Sequence, residues 1–180
     1  MKVIFHDDFY REYTSDPAAE AGRMESIVAA VKGVAEFITA EPATEKQISA
    51  VHTLDHIEDV KTEGVYSIAA LAAGGAIQTA RFGLTETAFG LIRPPGHHAS
   101  RSSAWGFCYF NNMAVALTTL KQEGLIRSAF VLDFDLHYGD GTVNILGHES
   151  WVDILNSQGH TRESYVGEIE KKLAGITVDI

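Results

Sequence analysis

The stretch AFVLDFDLHYGDGT, residues 129–142, decides the fold class of this chain. Its first part, Ala129–Phe134, is an apolar run with one carboxylate, which is typical of a strand buried on both faces of a parallel sheet. Its second part is rich in aspartate and glycine, which predicts a loop at the carboxyl end of that strand. Because such a strand requires helices on both faces of its sheet, the stretch favours an α/β fold.

On either side of this stretch, predicted strands alternate with predicted helices, which favours a parallel sheet with helices on both faces. Short apolar or β-rich runs predict strands at Lys2–Phe5, Ile48–His52, Ala88–Ile92, Ala129–Phe134, Trp151–Leu155 and Ile176–Ile180. Helical spacing of apolar residues predicts helices at Ala19–Ile38, Leu54–Glu63, Val65–Phe82, Asn112–Gln122 and Arg162–Leu173. The pair Gly74-Gly75 weakens the third helix in isolation and indicates close packing.

The length of 180 residues suits one domain, and the sequence contains no linker or internal repeat that would divide it. The last predicted strand, Ile176–Ile180, has no helix after it, although a parallel strand normally continues into one. We therefore expect a single, C-terminally incomplete domain over residues 1–180. An edge strand that ends the domain is the alternative.

Composition excludes several classes of protein. The chain carries 14 basic and 24 acidic residues, so its formal net charge of -10 makes nucleic acid a poor partner, whereas a cationic substrate is compatible. We expect no membrane span, because no run of about 18 apolar residues is present. The single cysteine, Cys108, excludes an internal disulfide and fits a reducing cytoplasm. The first ten residues turn acidic too early for a secretory signal peptide, which also predicts a cytoplasmic protein.

Two loops carry residues that are suited to catalysis, and each follows a predicted strand. The first, RPPGHHASRSSAWGFCYFNN over Arg93–Asn112, presents the adjacent histidines His97 and His98. The second contains four candidate groups within eight residues, namely Asp133, Asp135, His137 and Asp140. Because ligands bind beyond the carboxyl ends of parallel strands, we expect both loops to meet at one site.

The second loop has the ligand chemistry of a catalytic metal centre. Side chains at alternate positions of an extended segment share a face, so Asp133, Asp135 and His137 can project together. Oxygen and nitrogen ligands without thiolate suit Zn²⁺, Fe²⁺ or Mn²⁺, and catalytic zinc usually takes three protein ligands, of which this segment supplies two. The remaining aspartates can each hold one of the two histidines, which predicts metal-assisted hydrolysis of a carbonyl. Ordinary turn and helix-cap chemistry is the alternative.

Three segments of the chain resemble the histone deacetylase family, which includes the acetylpolyamine amidohydrolases. They are RPPGHHA, GFCYFNN and DFDLHYGDGT, and the likeness extends to VHTLDHIEDV and LAAGGAI. The resemblance implies the arginase/deacetylase fold, a zinc cofactor, and removal of acetyl groups from lysine side chains or from small amines such as polyamines.

The resemblance also implies a role for each site residue. Asp135 and His137 would bind the metal. His98 would be the general base and acid, paired with Asp140, and His97 would tune the site electrostatically, paired with Asp133. Gly106 and Phe107 would line the substrate channel. A potassium ion would lie near Asp133, Asp135, His137 and Asn156. Arg23 would be a buried arginine behind the centre or, equally, an ordinary surface residue.

The sequence departs from the family pattern in ways that bear on activity. Tyr138 replaces a second histidine, and no residue is assigned to the family's substrate-gripping aspartate. The family's third metal ligand and its oxyanion-stabilising tyrosine have no match, since Tyr165 and Asp179 lie outside those motifs. We therefore expect the 180-residue form to be impaired or inactive.

Two alternatives to an active deacetylase remain open. One is a non-catalytic fragment or degenerate module that self-associates through an unfinished sheet edge or binds metal only weakly. The other is an arginase-like hydrolase with two manganese ions. We expect Cys108 to be buried and without a catalytic role, and the remaining histidines to be solvated or structural, namely His6, His52, His56, His148 and His160.

Overall fold

The parallel strands are divided between two sheets. The computed structural model describes residues 1–180 except Ala18. Its first sheet has the order β2-β1-β3, with β1 at Lys2–Phe5, β2 at Glu36–Thr39 and β3 at Ala88–Gly90. Its second sheet pairs β4, Ala129–Asp133, with β5, Val152–Asn156. Each of these pairings is parallel, as the alternation of strands and helices predicts.

The described residues form seven α-helices, of which six lie between strands and the last follows β5. They are α1 (Arg23–Val31), α2 (Glu45–Ser49), α3 (Leu54–Thr62), α4 (Tyr66–Gly83), α5 (Asn112–Gln122), α6 (Asp140–Leu146) and α7 (Arg162–Ala174). Several begin at side chains that accept a hydrogen bond from the first turn, as Thr53 does for α3 and Asn111 for α5. None of the helices among the described residues is long and apolar enough to cross a bilayer.

Helix α4 joins the two hydrophobic clusters that form the core. It packs against β1 and β3 on one side and against α5 on another. The expectation of close packing at Gly74 and Gly75 is confirmed. A Cβ atom on Gly74 would overlap the main chain of Glu41 and Pro42, and one on Gly75 would lie 2.8 Å from Ile92 Cγ2. The missing side chains therefore allow neighbouring segments to lie directly against α4.

Three of the predicted elements differ from the structure, and the first two differ for local reasons. The helix predicted at Ala19–Ile38 extends only over Arg23–Val31, because Gly33 adopts a φ of +92° and Glu36–Thr39 then pairs with β1 as a strand. The β-rich run at Ile48–His52 is instead the end of α2 and the turn after it. A capping box at the start of α2 outweighs the local β-propensity, since Thr44 and Gln47 satisfy each other's main-chain N–H groups. Helix α6 was not predicted.

The last segment, Ile176–Ile180, is not a regular strand, although it lies beside β4. Asp179 N donates to Ser128 O at 3.2 Å, and Phe130 N donates to Ile180 O at 2.9 Å. The Asp179 carboxylate also accepts hydrogen bonds from the main-chain N–H groups of Arg127 and Ser128. These bonds occupy the side of β4 that faces away from β5.

A cleft separates the two sheets. Among the described strands, β3 pairs only with β1 and β4 only with β5, so each has a second edge without a strand partner. The cleft between these edges has a volume of about 810 Å³, with helices α4 and α5 also contributing to its walls. Its lining is mostly apolar and includes Ile92, Leu117, Val131 and Ile180, while His97 and Asp133 lie at one end. The cleft therefore opens towards the predicted site.

Candidate catalytic centre

The first predicted site loop, residues 93–111, is closed at its base by tight main-chain packing; it is called the histidine loop below. Asn112 Nδ2 donates to Pro94 O at 2.9 Å across this base. A Cβ atom on Gly96 would lie 2.5 Å from Phe110 O, so only glycine allows the two ends to approach this closely. The adjacent histidines His97 and His98 follow Gly96 directly. Their main chain therefore starts from a turn that is fixed by close packing.

The second loop, residues 134–139 between β4 and α6, is called the aspartate loop. The start of α6 brings it against the histidine loop. Thr142 N donates to His97 O at 3.1 Å, and a Cβ atom on Gly141 would lie 2.5 Å from the main chain of Ala99. The histidine loop is thus in main-chain contact with the first turn of α6, directly after the aspartate loop, as the expectation of a common site requires.

His97 and Asp133 form the first imidazole–carboxylate pair, with His97 Nδ1 3.0 Å from Asp133 Oδ2. The hydrogen bond that His97 donates to Asp133 is the main cause of a raised pKa at His97, and it outweighs burial, which lowers that pKa. Burial raises the pKa of Asp133, but the bonds from His97 and from the Asp135 N–H lower it by more. Both shifts favour the charged forms, so the two groups stabilise each other as an ion pair.

His98 and Asp140 form the second pair, with His98 Nδ1 2.6 Å from Asp140 Oδ1. The indole Nε1 of Trp105 donates to the other oxygen of Asp140 at 3.0 Å, and its ring stacks on the His98 imidazole with centroids 3.6 Å apart. Burial raises the pKa of Asp140, but the bonds from Trp105 and His98 bring it below its ordinary value. The carboxylate is therefore held ionised while it fixes the imidazole.

The two predicted metal ligands lie on the exposed part of the aspartate loop. His137 N donates to Asp135 Oδ1 at 2.8 Å, and the ring Nδ1 lies 3.3 Å from the same oxygen. Their side chains are 52% and 65% exposed, for Asp135 and His137 respectively. Among the described residues, no group of three or more histidine, cysteine or acidic side chains is arranged to hold a metal. The donor chemistry fits zinc, but it amounts to two of the three usual protein ligands.

Asn156 lies close to Asp133, as the prediction of a second cation site requires. It is the register partner of Asp133 in the β4–β5 ladder, and its Oδ1 accepts a hydrogen bond from Gly139 N at 2.8 Å. Gly139 packs so closely on the Asp133 carboxylate that a Cβ atom would overlap Oδ2. Asp133 and Asn156 are therefore adjacent, while Asp135 and His137 are further along the loop.

The predicted channel residues both have positive φ, which strains Phe107 but not Gly106, and Gly106 lies against His98. Gly106 and Phe107 have φ values of +58° and +50°, and a Cβ atom on Gly106 would lie 2.8 Å from His98 Cδ2. Phe107 lines a pocket of about 730 Å³ together with Trp105 and Cys108. The same pocket is lined by the acidic residues Asp16, Asp59 and Glu63.

Sequence reasoning missed the buried arginine. Arg23 is exposed at the start of α1, so of its two predicted roles it has that of an ordinary surface residue. The buried arginine is Arg93, whose guanidinium donates to the main-chain carbonyls of Phe9, Tyr10, Arg11 and Glu20. The only signal in the sequence was its place directly before Pro94-Pro95, because main-chain partners leave no pattern of residue types.

The cysteine and two of the remaining histidines are buried, as expected for residues with a structural role. Cys108 is buried, and burial raises the pKa of its thiol to about 12, which opposes a nucleophilic role. His56 is also buried, and its Nε2 lies 2.7 Å from Tyr109 O. His52 contacts the main chain of the histidine loop at two points.

Comparison with known proteins agrees with this geometry. The family model described as the histone deacetylase domain matches residues 60–175, which is more than half of the chain. The chain belongs to the histone deacetylase family. The predicted family is thereby confirmed, and membership argues against the arginase-like alternative with two manganese ions.

Relatives within the histone deacetylase family cover most of this chain. A probable deacetylase of Archaeoglobus fulgidus is 32% identical over 92% of this chain and 52% of its own length. The polyamine deacetylase HDAC10 of Homo sapiens is 29% identical over 77% of this chain and 26% of its own. The crystal structure of the HDA15 HD domain is similar with a TM-score of 0.75 and 29% identity, over 85% of this chain and 51% of that one. The predicted arginase/deacetylase fold is confirmed, and the chain spans about half of the length of the first relative and of the solved domain.

Proposed function

We propose that residues 1–180 form one deacetylase-like domain of a metal-dependent amidohydrolase that removes acetyl groups from lysine side chains or small amines such as polyamines. The observation that carries this proposal is the pair of contacts from His97 and His98 of the histidine loop to Asp133 and Asp140, the carboxylates on either side of the aspartate loop. Hydrolysis of an amide needs a group that takes a proton from water and returns it to the leaving amine. The two pairs provide such groups beyond the carboxyl ends of β3 and β4, the position at which ligands bind to parallel strands.

His98 is the proposed general base and acid. Its Nδ1 is engaged by Asp140, so Nε2 is the atom that can take a proton and later release it. The ionised Asp140 carboxylate stabilises the imidazolium that forms in between, and the stacked Trp105 ring restricts the imidazole to one orientation. Little reorganisation is then needed when the proton moves.

His97 is proposed to act by charge. Its pairing with Asp133 raises its pKa, so a larger fraction of His97 is protonated near neutral pH than for a free imidazole. The rings of His97 and His98 have centroids 4.0 Å apart, which places this positive charge beside the proton-transfer group. The charge favours the negative oxygen that develops when water attacks the amide.

Asp135 and His137 are the proposed metal ligands, with Zn²⁺ as the expected ion and Fe²⁺ or Mn²⁺ as alternatives that accept the same donors. A divalent ion at this position would supply Lewis acidity towards the amide carbonyl and the attacking water. Asp133 and Asn156 are proposed to lie at a potassium site that supports the aspartate loop.

The proposed substrate is an acetylated amine that is cationic beyond the acetyl group. The human relative is named a polyamine deacetylase. The net charge of -10 and the acidic pocket beside Phe107 both favour a cation. Gly106 and Phe107 would form the wall along which the acetylated arm lies.

We also propose that the 180-residue form alone turns over substrate poorly. Neither a third metal ligand nor an oxyanion-stabilising tyrosine is assigned among the described residues, and one oxyanion donor is worth about 10²–10³-fold in rate. Location in the cytoplasm and the absence of nucleic-acid and membrane partners remain predictions from composition.

A chimera tests the proposed chemistry. Residues 1–180 would be joined to the part of the Archaeoglobus fulgidus relative that lies beyond the aligned region, and turnover of an acetyl-lysine peptide and an N-acetylated polyamine would be measured with zinc. We expect the chimera to be active and the 180-residue chain to be nearly inactive. A folded, zinc-loaded chimera without turnover of either substrate would contradict the proposal.

The second candidate is a non-catalytic module that self-associates. It is favoured by unpaired strand edges and exposed apolar side chains. The cleft edge of β3 lacks a strand partner among the described strands, the last segment bonds to β4 only as far as Phe130, and the aspartate loop exposes Phe134 and Leu136 by 74% and 92%. Light scattering after size exclusion distinguishes this candidate. Concentration-dependent dimers of the 180-residue chain that disappear in the chimera would support it, and a monomer at all concentrations would exclude it.

A further inference from the structure

His52 connects two separated points of the histidine loop. The residue follows α2, its side chain is buried, and 1% of the residue is exposed. Its Nδ1 lies 2.9 Å from Ser100 O, and its Nε2 accepts a hydrogen bond from Asn111 N at 2.9 Å. These two points flank the segment that contains Trp105, Gly106 and Phe107. One buried imidazole therefore holds both ends of the proposed channel wall.

The two contacts define the tautomer of His52. A main-chain N–H can only donate, so the Nε2 that faces Asn111 carries no proton. A carbonyl can only accept, so the Nδ1 that faces Ser100 carries the proton. The ring is thus neutral with both nitrogens satisfied. Burial, followed by the nearby His56, lowers the pKa of His52 to about 4, in agreement with a neutral ring at physiological pH.

The hydrogen bonds continue from His52 to the catalytic pairs through Asn111. The Asn111 side chain is buried, and its Nδ2 lies 3.1 Å from both Ala99 O and Thr142 Oγ1. Thr142 N in turn donates to His97 O at 3.1 Å. A continuous buried path therefore runs from His52, through the cap of α5, to the first turn of α6 and the main chain of His97.

We propose that His52 is a positioning residue that holds the histidine loop against α6, so that His97 and His98 stay on their carboxylate partners. This inference deepens the proposed function and rests on it for the catalytic meaning of the two pairs. The structural claim itself does not depend on turnover. Histidine suits the position because it offers a donor and an acceptor on opposite sides of one rigid ring, towards main-chain groups of opposite polarity.

The first test uses ¹⁵N-histidine NMR and amide exchange on the 180-residue chain. In the unmodified chain we expect His52 to be the neutral Nδ1–H tautomer, the Asn111 amide to be strongly protected, and the His98 Nδ1 proton, bonded to Asp140, to resonate far downfield. His52→Phe keeps the ring but removes both bonds, so we expect at least about tenfold faster exchange at Asn111 and loss of the His98 proton signal.

Two further variants separate positioning from simple destabilisation. Val60→Ala removes a buried side chain of α3 that makes no hydrogen bond to the loop, and we expect it to lower the melting temperature while both NMR signatures persist. His52→Gln offers an amide oxygen to Asn111 N, and we expect partial recovery of its protection. This variant also serves if His52→Phe does not fold.

The outcomes distinguish this inference from the proposed function. An Nε2–H tautomer in the unmodified chain would overturn the inference, as would an unchanged His98 proton signal and Asn111 protection in folded His52→Phe or His52→Gln. If the chimera is inactive but these NMR results are as expected, the proposed function fails and the positioning role stands. If the chimera is active, His52→Phe should lower kcat at least about tenfold with little change in KM.

Discussion

The two groups of candidate site residues differ in how firmly the fold holds them. His97 and His98 have side chains that are 20% and 5% exposed, and each is bonded to a carboxylate. Asp135 and His137 are more than half exposed, and within the described residues their closest polar contacts are with each other. The difference suggests that this chain preorganises the acid–base groups by itself, whereas the metal ligands depend on further contacts.

The largest effect is expected when the proposed general base is removed. In the active chimera, His98→Ala should lower kcat by about 10²–10⁴-fold, because the proton-transfer group is lost while the proposed metal ligands stay. Steady-state turnover and zinc content would be measured together. His148→Ala is the matched control, because His148 is exposed and lies outside the proposed site. This variant should retain activity. Equal losses in both variants would assign the effect to damage rather than to catalysis.

The next effect concerns the exposed half of the site. Asp135→Ala should weaken zinc binding by the chimera at least about tenfold, since even residues that only support metal ligands are worth 10–100-fold. The same change in the metal-free 180-residue chain should alter the melting temperature by less than about 2 °C relative to the unmodified chain, because an exposed side chain contributes little to stability. Competition with a chromophoric chelator and thermal unfolding measure the two quantities. Unchanged zinc affinity would remove Asp135 from the ligand set, and Asp55→Ala controls for loss of an exposed carboxylate.

The acid–base half was also the part that the sequence predicted best. RPPGHHA and DFDLHYGDGT each follow or include the end of a predicted parallel strand, which predicted that their loops meet. The pairing of each histidine with an aspartate followed from the number and type of these residues. The gap between β3 and β4 was not predicted, because strand order depends on packing between distant segments. Arg93 and His52 were missed as anchors since both bind main-chain groups, which carry no signature in the sequence.

Some errors could have been avoided with signals that the sequence does contain. The pattern T-x-x-Q at Thr44–Gln47 is a capping box and indicated helix α2 rather than a strand. Gly33 interrupts the apolar spacing of the first predicted helix, and its positive φ ends the helical region before Glu36–Thr39. Local turn chemistry was decisive in both cases, and periodicity alone was not sufficient.

A smaller effect tests the tight packing of the channel wall on His98. Gly106→Ala should destabilise the chain by about 1–3 kcal/mol, because a side chain is strained at positive φ and its Cβ would press on the imidazole. Gly124→Ala is a close control, since Gly124 has a φ of +72° with nothing within 4 Å of its added Cβ. Chemical denaturation would compare them. The difference between the variants isolates the contact with His98, and equal destabilisation would mean that this contact contributes nothing.

The smallest effect concerns the outer hydrogen bond of the His98–Asp140 pair. Trp105→Phe keeps a ring that can stack on His98 but removes the bond to Asp140, so the pKa of that carboxyl should rise. Asp140 has a lowered pKa in the folded chain, so it stabilises the fold above its unfolded pKa and this contribution is lost as pH falls through the folded pKa. The loss should therefore begin at a higher pH in Trp105→Phe, with a change below about 1 kcal/mol because Asp140 is partly exposed. Unfolding free energies between about pH 3 and pH 6 measure this shift.

Trp151→Phe is the control, because it removes an indole hydrogen bond to Glu149 instead. It should leave the loss of unfolding free energy at low pH unchanged. The same shift in both variants would show that Trp105 does not act through Asp140.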